Sequence, residues 1–224
     1  MAINQKTGAT KVKGVADVVF VFDCTGSMSP YLDAMKKNVA ALVKGFNATP
    51  QVKLDWRVRA MGYRDITCDS EYLLDSFPFT KEESVFVNEQ LSALKVDGGG
   101  DYEESALDAL WYALRRSEWR SPCQKAIVLF TDAGTKPVNA KTKSDLGVTT
   151  DLDYLMQEMM KERVLLFIYG PKDASFEALS RMEKANVNLY DNVEEILDET
   201  EFRELLTAIG KTVSGSIGAE ARTL

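Results

Sequence analysis

Residues 15–28, VADVVFVFDCTGSM, decide the fold. Residues 15–22 are β-branched or aromatic at most positions, a composition typical of a central strand covered on both faces. The polar loop DCTGSMSP follows, and apolar residues then recur at three- and four-residue intervals over 31–46, the period of an amphipathic helix. A buried strand, a loop and a helix in this order predict the first unit of an α/β domain.

The rest of the chain continues this alternation. Further strands are predicted at 52–61, 71–79, 125–131, 164–169 and 187–190, and further helices at 82–94, 103–117, 152–161, 176–185 and 193–213. Alternating strands and helices imply parallel pairing through right-handed crossovers. The predicted fold is therefore α/β, Rossmann-like, with a doubly wound, mostly parallel central sheet and helices on both faces. We expect an N-terminal arm at 1–14, a single domain at 15–213 and a tail at 214–224.

Composition narrows the possible functions. The 224 residues carry a formal net charge of -7, which disfavours nucleic acid and anionic lipid as partners. The chain contains no histidine, so catalysis that needs imidazole is excluded and a metal must be bound mainly by oxygen. Three cysteines without CxxC spacing indicate a reducing compartment. With no apolar segment of membrane-spanning length, we predict a cytoplasmic protein without membrane insertion.

Oxygen ligands cluster in three segments that border predicted strands or helices. The residues are Asp23, Thr25 and Ser27 after the first strand, Asp101 after a glycine run, and Asp132 after the strand at 125–131. In open α/β sheets, ligands bind at the carboxyl ends of the strands, where the strand order reverses. Carboxylates and hydroxyls suit hard cations, so the cluster predicts one divalent metal, with Mg²⁺ favoured and Mn²⁺ or Ca²⁺ as alternatives.

Helix capping is the competing interpretation of the same residues. Serine and threonine before a helix often accept hydrogen bonds from its first backbone N–H groups, which can account for Thr25 and Ser27. Asp101 can likewise cap a helix, with Glu104 completing a capping box. For Asp101 alone capping is the simpler interpretation, and the agreement of the three segments favours the metal.

The run VFVFDCTGSM resembles the first strand and metal-binding loop of von Willebrand factor A-type domains, which carry a metal-ion-dependent adhesion site. GGGDYEESALDAL and IVLFTDAG resemble the later motifs of that family, in the same order. The resemblance implies metal binding through Thr25 and Ser27, with Asp23 and Asp132 acting directly or through water. Asp101 stands where many relatives carry threonine, and a third carboxylate leaves less positive charge for an acidic partner.

The resemblance also implies a protein-interaction module, most similar to intracellular members such as those that accompany α-kinase domains. We expect an assembly or regulatory role and a protein partner that contacts the rim of the metal site. The candidate rim residues are Ser29, Tyr63, Arg64, Asp65, Gly100 and Lys136. For Tyr63, Arg64 and Asp65, a structural ion pair and an aromatic plug are an equal alternative.

Two other functions compete with this one. Asp23 can be a nucleophile of Mg²⁺-dependent phosphoryl transfer, because some phosphatases place an aspartate after the first parallel strand. Those enzymes usually carry a second aspartate two positions later, where this chain has Thr25. The remaining alternative is a structural domain stabilised by Ca²⁺. The metal that the site prefers distinguishes this role from an interaction module.

Overall fold

A computed structural model describes residues 14–48, 54–100, 102–149 and 151–191. The strands are β1 (Gly14–Asp23), β2 (Leu54–Tyr63), β3 (Leu73–Leu74), β4 (Glu103–Glu104), β5 (Gln124–Phe130), β6 (Gly134–Thr135), β7 (Leu165–Pro171) and β8 (Ala185–Tyr190). The α-helices are α1 (Leu32–Ala48), α2 (Glu83–Val85), α3 (Ala106–Arg116), α4 (Ala140–Leu146), α5 (Leu152–Lys161) and α6 (Ala174–Leu179). A 3-10 turn covers Gly26–Met28, and a π-helical segment covers Phe86–Leu91.

Six strands form the main sheet in the order β3-β2-β1-β5-β7-β8. All of its pairs are parallel except that between β2 and β3. From β1 the chain proceeds to β2 on one side, whereas β5 lies on the other side, so the strand order reverses at β1. The carboxyl ends of β1 and β5 therefore meet where a doubly wound sheet binds its ligands. The predicted fold class is confirmed.

Alternation along β1 builds a core on each face of the sheet. Val18, Phe20 and Phe22 pack in a cluster with α1 and the π-helical segment. Val19 and Val21 pack in a second cluster with α3, α5 and α6. Because successive side chains of a strand point to opposite faces, a continuous apolar run is what a strand buried on both sides requires. β1 is thereby held rigidly beneath the loop that follows it.

Several element boundaries differ from the prediction. The strand expected at 71–79 contains only two residues, and the helix expected at 82–94 is largely π-helical. The helix expected at 103–117 begins at Ala106, because 103–104 pair with 134–135 in a separate parallel ladder. The helix expected at 176–185 ends at Leu179, and β8 starts at Ala185. The helix expected at 193–213 lies outside the described residues.

The segment after the strand expected at 125–131, to which the sequence assigns no helix before 152, includes the helix α4. Asn139 caps the start of α4 by accepting a hydrogen bond from the Lys141 backbone N–H at 2.9 Å. Gly147 ends it in the left-handed conformation with φ of 64°. The low apolar content of this short helix hid it from the periodicity criterion. Among the described helices, none combines the length and apolarity that crossing a membrane requires.

An ion-pair network stabilises the opposite, amino-terminal end of β1. Asp17 is fully buried and accepts hydrogen bonds from Arg57 Nε at 3.0 Å and Nη2 at 2.7 Å. It also accepts from the Arg120 backbone N–H and Nε, both at 2.8 Å. Although burial raises the pKa of Asp17, these hydrogen bonds outweigh it and hold the pKa below its usual range. The network joins β1, β2 and the segment before β5 far from the candidate site.

Candidate metal centre

Asp23, the last residue of β1, lies at the centre of the candidate site with no exposed surface. Its Oδ1 accepts hydrogen bonds from the Thr25 backbone N–H at 2.9 Å and from Thr25 Oγ1 at 2.6 Å. Its Oδ2 accepts from Thr131 Oγ1 at 2.8 Å and from Tyr63 OH at 3.3 Å. Donors from three segments therefore fix both oxygens of this carboxylate.

The hydroxyls of Thr25 and Ser27 connect Asp23 to Asp132. Ser27 Oγ donates to Asp132 Oδ1 at 3.1 Å, and Thr25 Oγ1 lies 3.3 Å from Ser27 Oγ. Each hydroxyl has one proton, and the two carboxylates accept both protons, so the facing lone pairs remain available to a cation. Adjacent oxygens around a hard cation are separated by about 3.0 Å for Mg²⁺ and about 3.4 Å for Ca²⁺. The donor set therefore fits such an ion.

The carboxylates of this site lack a positive partner within the described part of the chain. Neither Asp23 nor Asp132 forms an ion pair with a described lysine or arginine. Burial, with a smaller contribution from the nearby Asp132, raises the pKa of Asp23 to about 6 against the hydrogen bonds from Thr25 and Thr131, which lower it. Burial also raises the pKa of Asp132. A bound cation would relieve both effects, because it favours the ionised form.

The local geometry argues against the capping interpretation. Thr25 precedes the 3-10 turn, yet its side chain makes no capping hydrogen bond and instead donates to Asp23. Glu104 lies in β4, and α3 begins after Ser105, so the capping box predicted from Asp101 and Glu104 does not start this helix. Asp101 itself lies outside the described residues. Among those described, no three acidic or cysteine side chains form a metal-binding group.

A glycine-rich segment closes the site from one side. The Gly98 carbonyl accepts a hydrogen bond from the Gly26 backbone N–H at 3.2 Å, which joins this segment to the loop after β1. Gly98 has φ of 67°, and a methyl group there would lie 2.0 Å from Asp69 Oδ1. Gly99 has φ of 86°, and its backbone N–H donates to Asp69 Oδ2 at 3.0 Å. Only glycine combines this conformation with such close packing.

The predicted rim requires a correction at three positions. Tyr63, Arg64 and Asp65 are 1%, 8% and 1% exposed, so their side chains do not form a contact surface. Tyr63 donates to Asp23, and Arg64 donates to the backbone carbonyls of Glu71 and Lys95. The alternative given above, a structural role for these three residues, therefore describes their positions. The end of β2 lies beneath the loops of the site.

Lys136 also belongs largely to the framework of the site. Its Nζ pairs with Asp65 Oδ2 at 2.5 Å and donates to Thr67 Oγ1 at 3.0 Å. Although burial raises the pKa of Asp65, the hydrogen bonds from Lys136 and Thr67 lower it to about 2. Ser29 and Gly100 are exposed, as a rim requires.

Sequence reasoning missed three contributors to this region. Thr131 is fully buried and donates to Asp23, but the sequence shows it only as the end of a strand. Tyr102 is 71% exposed beside the glycine-rich segment, an unusual position for an aromatic side chain. Glu104 is 3% exposed, whereas the sequence suggested that it completes a capping box at a helix start. The sequence could have indicated Tyr102, because this residue directly follows the candidate ligand Asp101. The burial of Glu104 depends on distant segments, so no local pattern indicates it.

The fold and this cluster define a class, a doubly wound domain with an oxygen-lined cation site at the strand-order reversal. The chain belongs to the von Willebrand factor type A domain family, whose model matches residues 17–208. Alpha-protein kinase vwkA of Dictyostelium discoideum is 25% identical over 125 residues, which are 56% of this chain and 19% of the kinase.

Solved structures share the fold at low identity. Proximal thread matrix protein 1 from the mussel byssus has a TM-score of 0.64 at 16% identity, covering 90% of this chain and 46% of that one. A structure of that protein with a zinc-occupied MIDAS motif has a TM-score of 0.59 at 17% identity, covering 86% and 46%. The D319A mutant of the PilB minor pilin from Streptococcus sanguinis has a TM-score of 0.62 at 12% identity, covering 92% and 62%. This chain spans less than two thirds of each of these proteins.

Proposed function

We propose that this chain is a protein-interaction module whose partner contact depends on one divalent cation. The proposed ligands are Asp23, Thr25, Ser27, Asp101 and Asp132, acting directly or through water. The observation that carries the proposal is the continuous hydrogen-bonded chain from Asp23 to Asp132, which has no ion-pair partner among the described residues. Carboxylates withdrawn from water need a compensating positive charge, and a hard cation supplies it.

Mg²⁺ is the proposed ion, with Mn²⁺ and Ca²⁺ as alternatives. Mg²⁺ usually keeps several exchangeable waters, and a partner's oxygen can replace one of them. The zinc-occupied motif of the mussel protein supports a divalent site in this fold family. A closed site selective for Ca²⁺ would instead indicate the structural role considered above.

The partner surface that we propose surrounds the exposed Ser27. It includes Ser29, Gly100 and Tyr102, all of which are exposed. Exposed tyrosine is well suited to such a surface, because it contributes a large contact area with little loss of conformational entropy. A protein partner is consistent with the family, and its identity remains to be found by experiment.

A binding role is favoured over phosphoryl transfer. A nucleophilic Asp23 needs an accessible oxygen, but this carboxylate has no exposed surface and accepts four hydrogen bonds. We place the module in the cytoplasm, in an assembly or regulatory role. All three cysteines are free thiols, as expected in a reducing compartment.

Titration calorimetry of the metal-stripped protein with Mg²⁺, Mn²⁺ and Ca²⁺ tests the site. We expect saturable one-site binding that Asp23→Ala abolishes. Asp132→Asn is the less disruptive variant, because Asp132 is only partly buried and accepts a single side-chain hydrogen bond, from Ser27. We expect it to weaken binding by more than about a hundredfold, which exceeds the usual effect of an outer-sphere change.

Asp33→Asn is the matched control, since it removes the same charge from a side chain that is 85% exposed on α1. Equal affinity of wild type and Asp132→Asn would overturn the ligand assignment. Partner capture from a cell extract is then compared with Mg²⁺ and with chelator. We expect recovery of the partner to be lost on chelation and in Asp132→Asn. The control Asp33→Asn should still recover the partner.

A further inference from the structure

Glu104 combines burial with an unused oxygen. Its side chain is 3% exposed, and its Oε2 has no hydrogen-bond partner. A buried carboxylate oxygen without a donor is costly, because the water that it gives up is not replaced. The position of Glu104 in the fold indicates what supplies the missing partner.

The β4–β6 ladder places Glu104 beside the metal centre. Glu104 pairs with Thr135 in this ladder, and its carbonyl accepts a hydrogen bond from the Lys136 backbone N–H at 2.8 Å. A methyl group added at Gly99 would lie 3.1 Å from Glu104 Oε1 and 3.1 Å from Thr25 Cβ. The Glu104 carboxylate and the side chain of Thr25, a proposed ligand, therefore border the same space beside Gly99.

The charges around Glu104 are mainly negative. Burial, followed by the negative charges of Asp23 and Asp65, raises the pKa of Glu104 to about 8. Lys136 acts in the opposite direction, but its ammonium group is bonded to Asp65 and Thr67. Glu104 Oε2 accepts no hydrogen bond in the described part of the chain, so the arrangement favours a positive ligand nearby.

We propose that Glu104 is a further acidic member of the metal site, and that its free oxygen accepts a hydrogen bond from a water bound to the cation. This inference rests on the proposed function. In this role Glu104 is a positioning residue that acts through water, in addition to the proposed direct ligands. Such outer-sphere partners orient the water and add negative charge near the ion.

The test measures Mg²⁺ affinity by calorimetry in Glu104→Gln and Glu104→Leu. Gln preserves shape and one acceptor oxygen but removes the charge, whereas Leu removes both acceptors. We expect Glu104→Gln to weaken binding by about tenfold and Glu104→Leu by more, as outer-sphere substitutions do. Glu103→Gln is the matched control, because the adjacent Glu103 is exposed. Its effect should stay within about twofold, since exposed charges are screened by solvent.

Urea unfolding in chelator shows whether each variant is folded before titration, and if one variant fails to fold, the other carries the test. Unchanged Mg²⁺ affinity in the folded Glu104 variants would overturn the inference and leave the proposed site intact. Equal losses of Mg²⁺ affinity in the Glu103 and Glu104 variants would also overturn the inference and leave the proposed site intact. Absence of divalent-cation binding by the wild type would overturn both the inference and the proposed function.

Discussion

Cation binding should release about one proton at pH 7. The perturbation is addition of Mg²⁺ to the metal-free protein, in which the pKa of Glu104 is about 8 and that of Asp23 about 6. At pH 7 Glu104 then carries about 0.9 proton and Asp23 about 0.1, which sum to about one. A cation stabilises the ionised form of both groups, so both lose their protons when it binds.

The sign of the pH dependence follows from these raised pKa values. Protons compete with the cation, so affinity should rise with pH by about tenfold per unit between pH 6 and 8, where Glu104 titrates. Proton release should fall to about 0.1 at pH 9, where Glu104 is already ionised. At pH 6 it should increase to about 1.5, because Asp23 is then half protonated.

Calorimetry in buffers of different ionisation enthalpy measures the number of protons released. Glu104→Gln should reduce the release at pH 7 to about 0.1, the contribution of Asp23 alone. Affinity independent of pH between 6 and 8 would refute the reasoning. Proton release that is unchanged in the variant would refute the assignment to Glu104.

Two further predictions concern stability and packing. Asp17→Asn should lower the free energy of unfolding by about 3 kcal/mol, because it removes the buried negative charge that pairs with Arg57 and Arg120. Urea denaturation followed by circular dichroism measures this loss. The Mg²⁺ affinity of the variant should not change. A loss of stability below about 1 kcal/mol would contradict the role of the network. Gly99→Ala and Gly147→Ala should each cost about 1 kcal/mol or more, because φ is positive at both positions. Only Gly99→Ala should weaken Mg²⁺ binding, because a methyl group at Gly147 meets nothing within 4 Å. Equal Mg²⁺ affinities in the two variants would count against the packing argument.

Local pattern was sufficient for the fold class and for part of the site. The apolar run at 15–22 predicted a strand buried on both faces, and β1 is that strand. Alternate polar residues after it predicted that Asp23, Thr25 and Ser27 act together, and their oxygens form one hydrogen-bonded series. Both inferences depend on residues close in the chain, where side-chain direction follows the backbone period.

Local pattern was misleading where burial depends on distant segments. Tyr63, Arg64 and Asp65 follow a strand and looked suitable for a rim, but they lie beneath the loops that surround the site. The short ladder of β4 and β6 has too few residues for a periodic signal, yet it buries Glu104. From the sequence, that residue was interpreted as part of a helix start.

By itself, the sequence determined the main strands and several of the helices, that the sheet is mostly parallel, and which oxygen ligands follow its strands. These properties come from side-chain period and composition over short stretches. Only the tertiary structure decided that Ser27 donates to Asp132, 105 positions away, and that Glu104 lies buried with one unpaired oxygen. The physical reason is that solvent exclusion and electrostatic environment arise from segments packed together in space, which no local window of the chain contains.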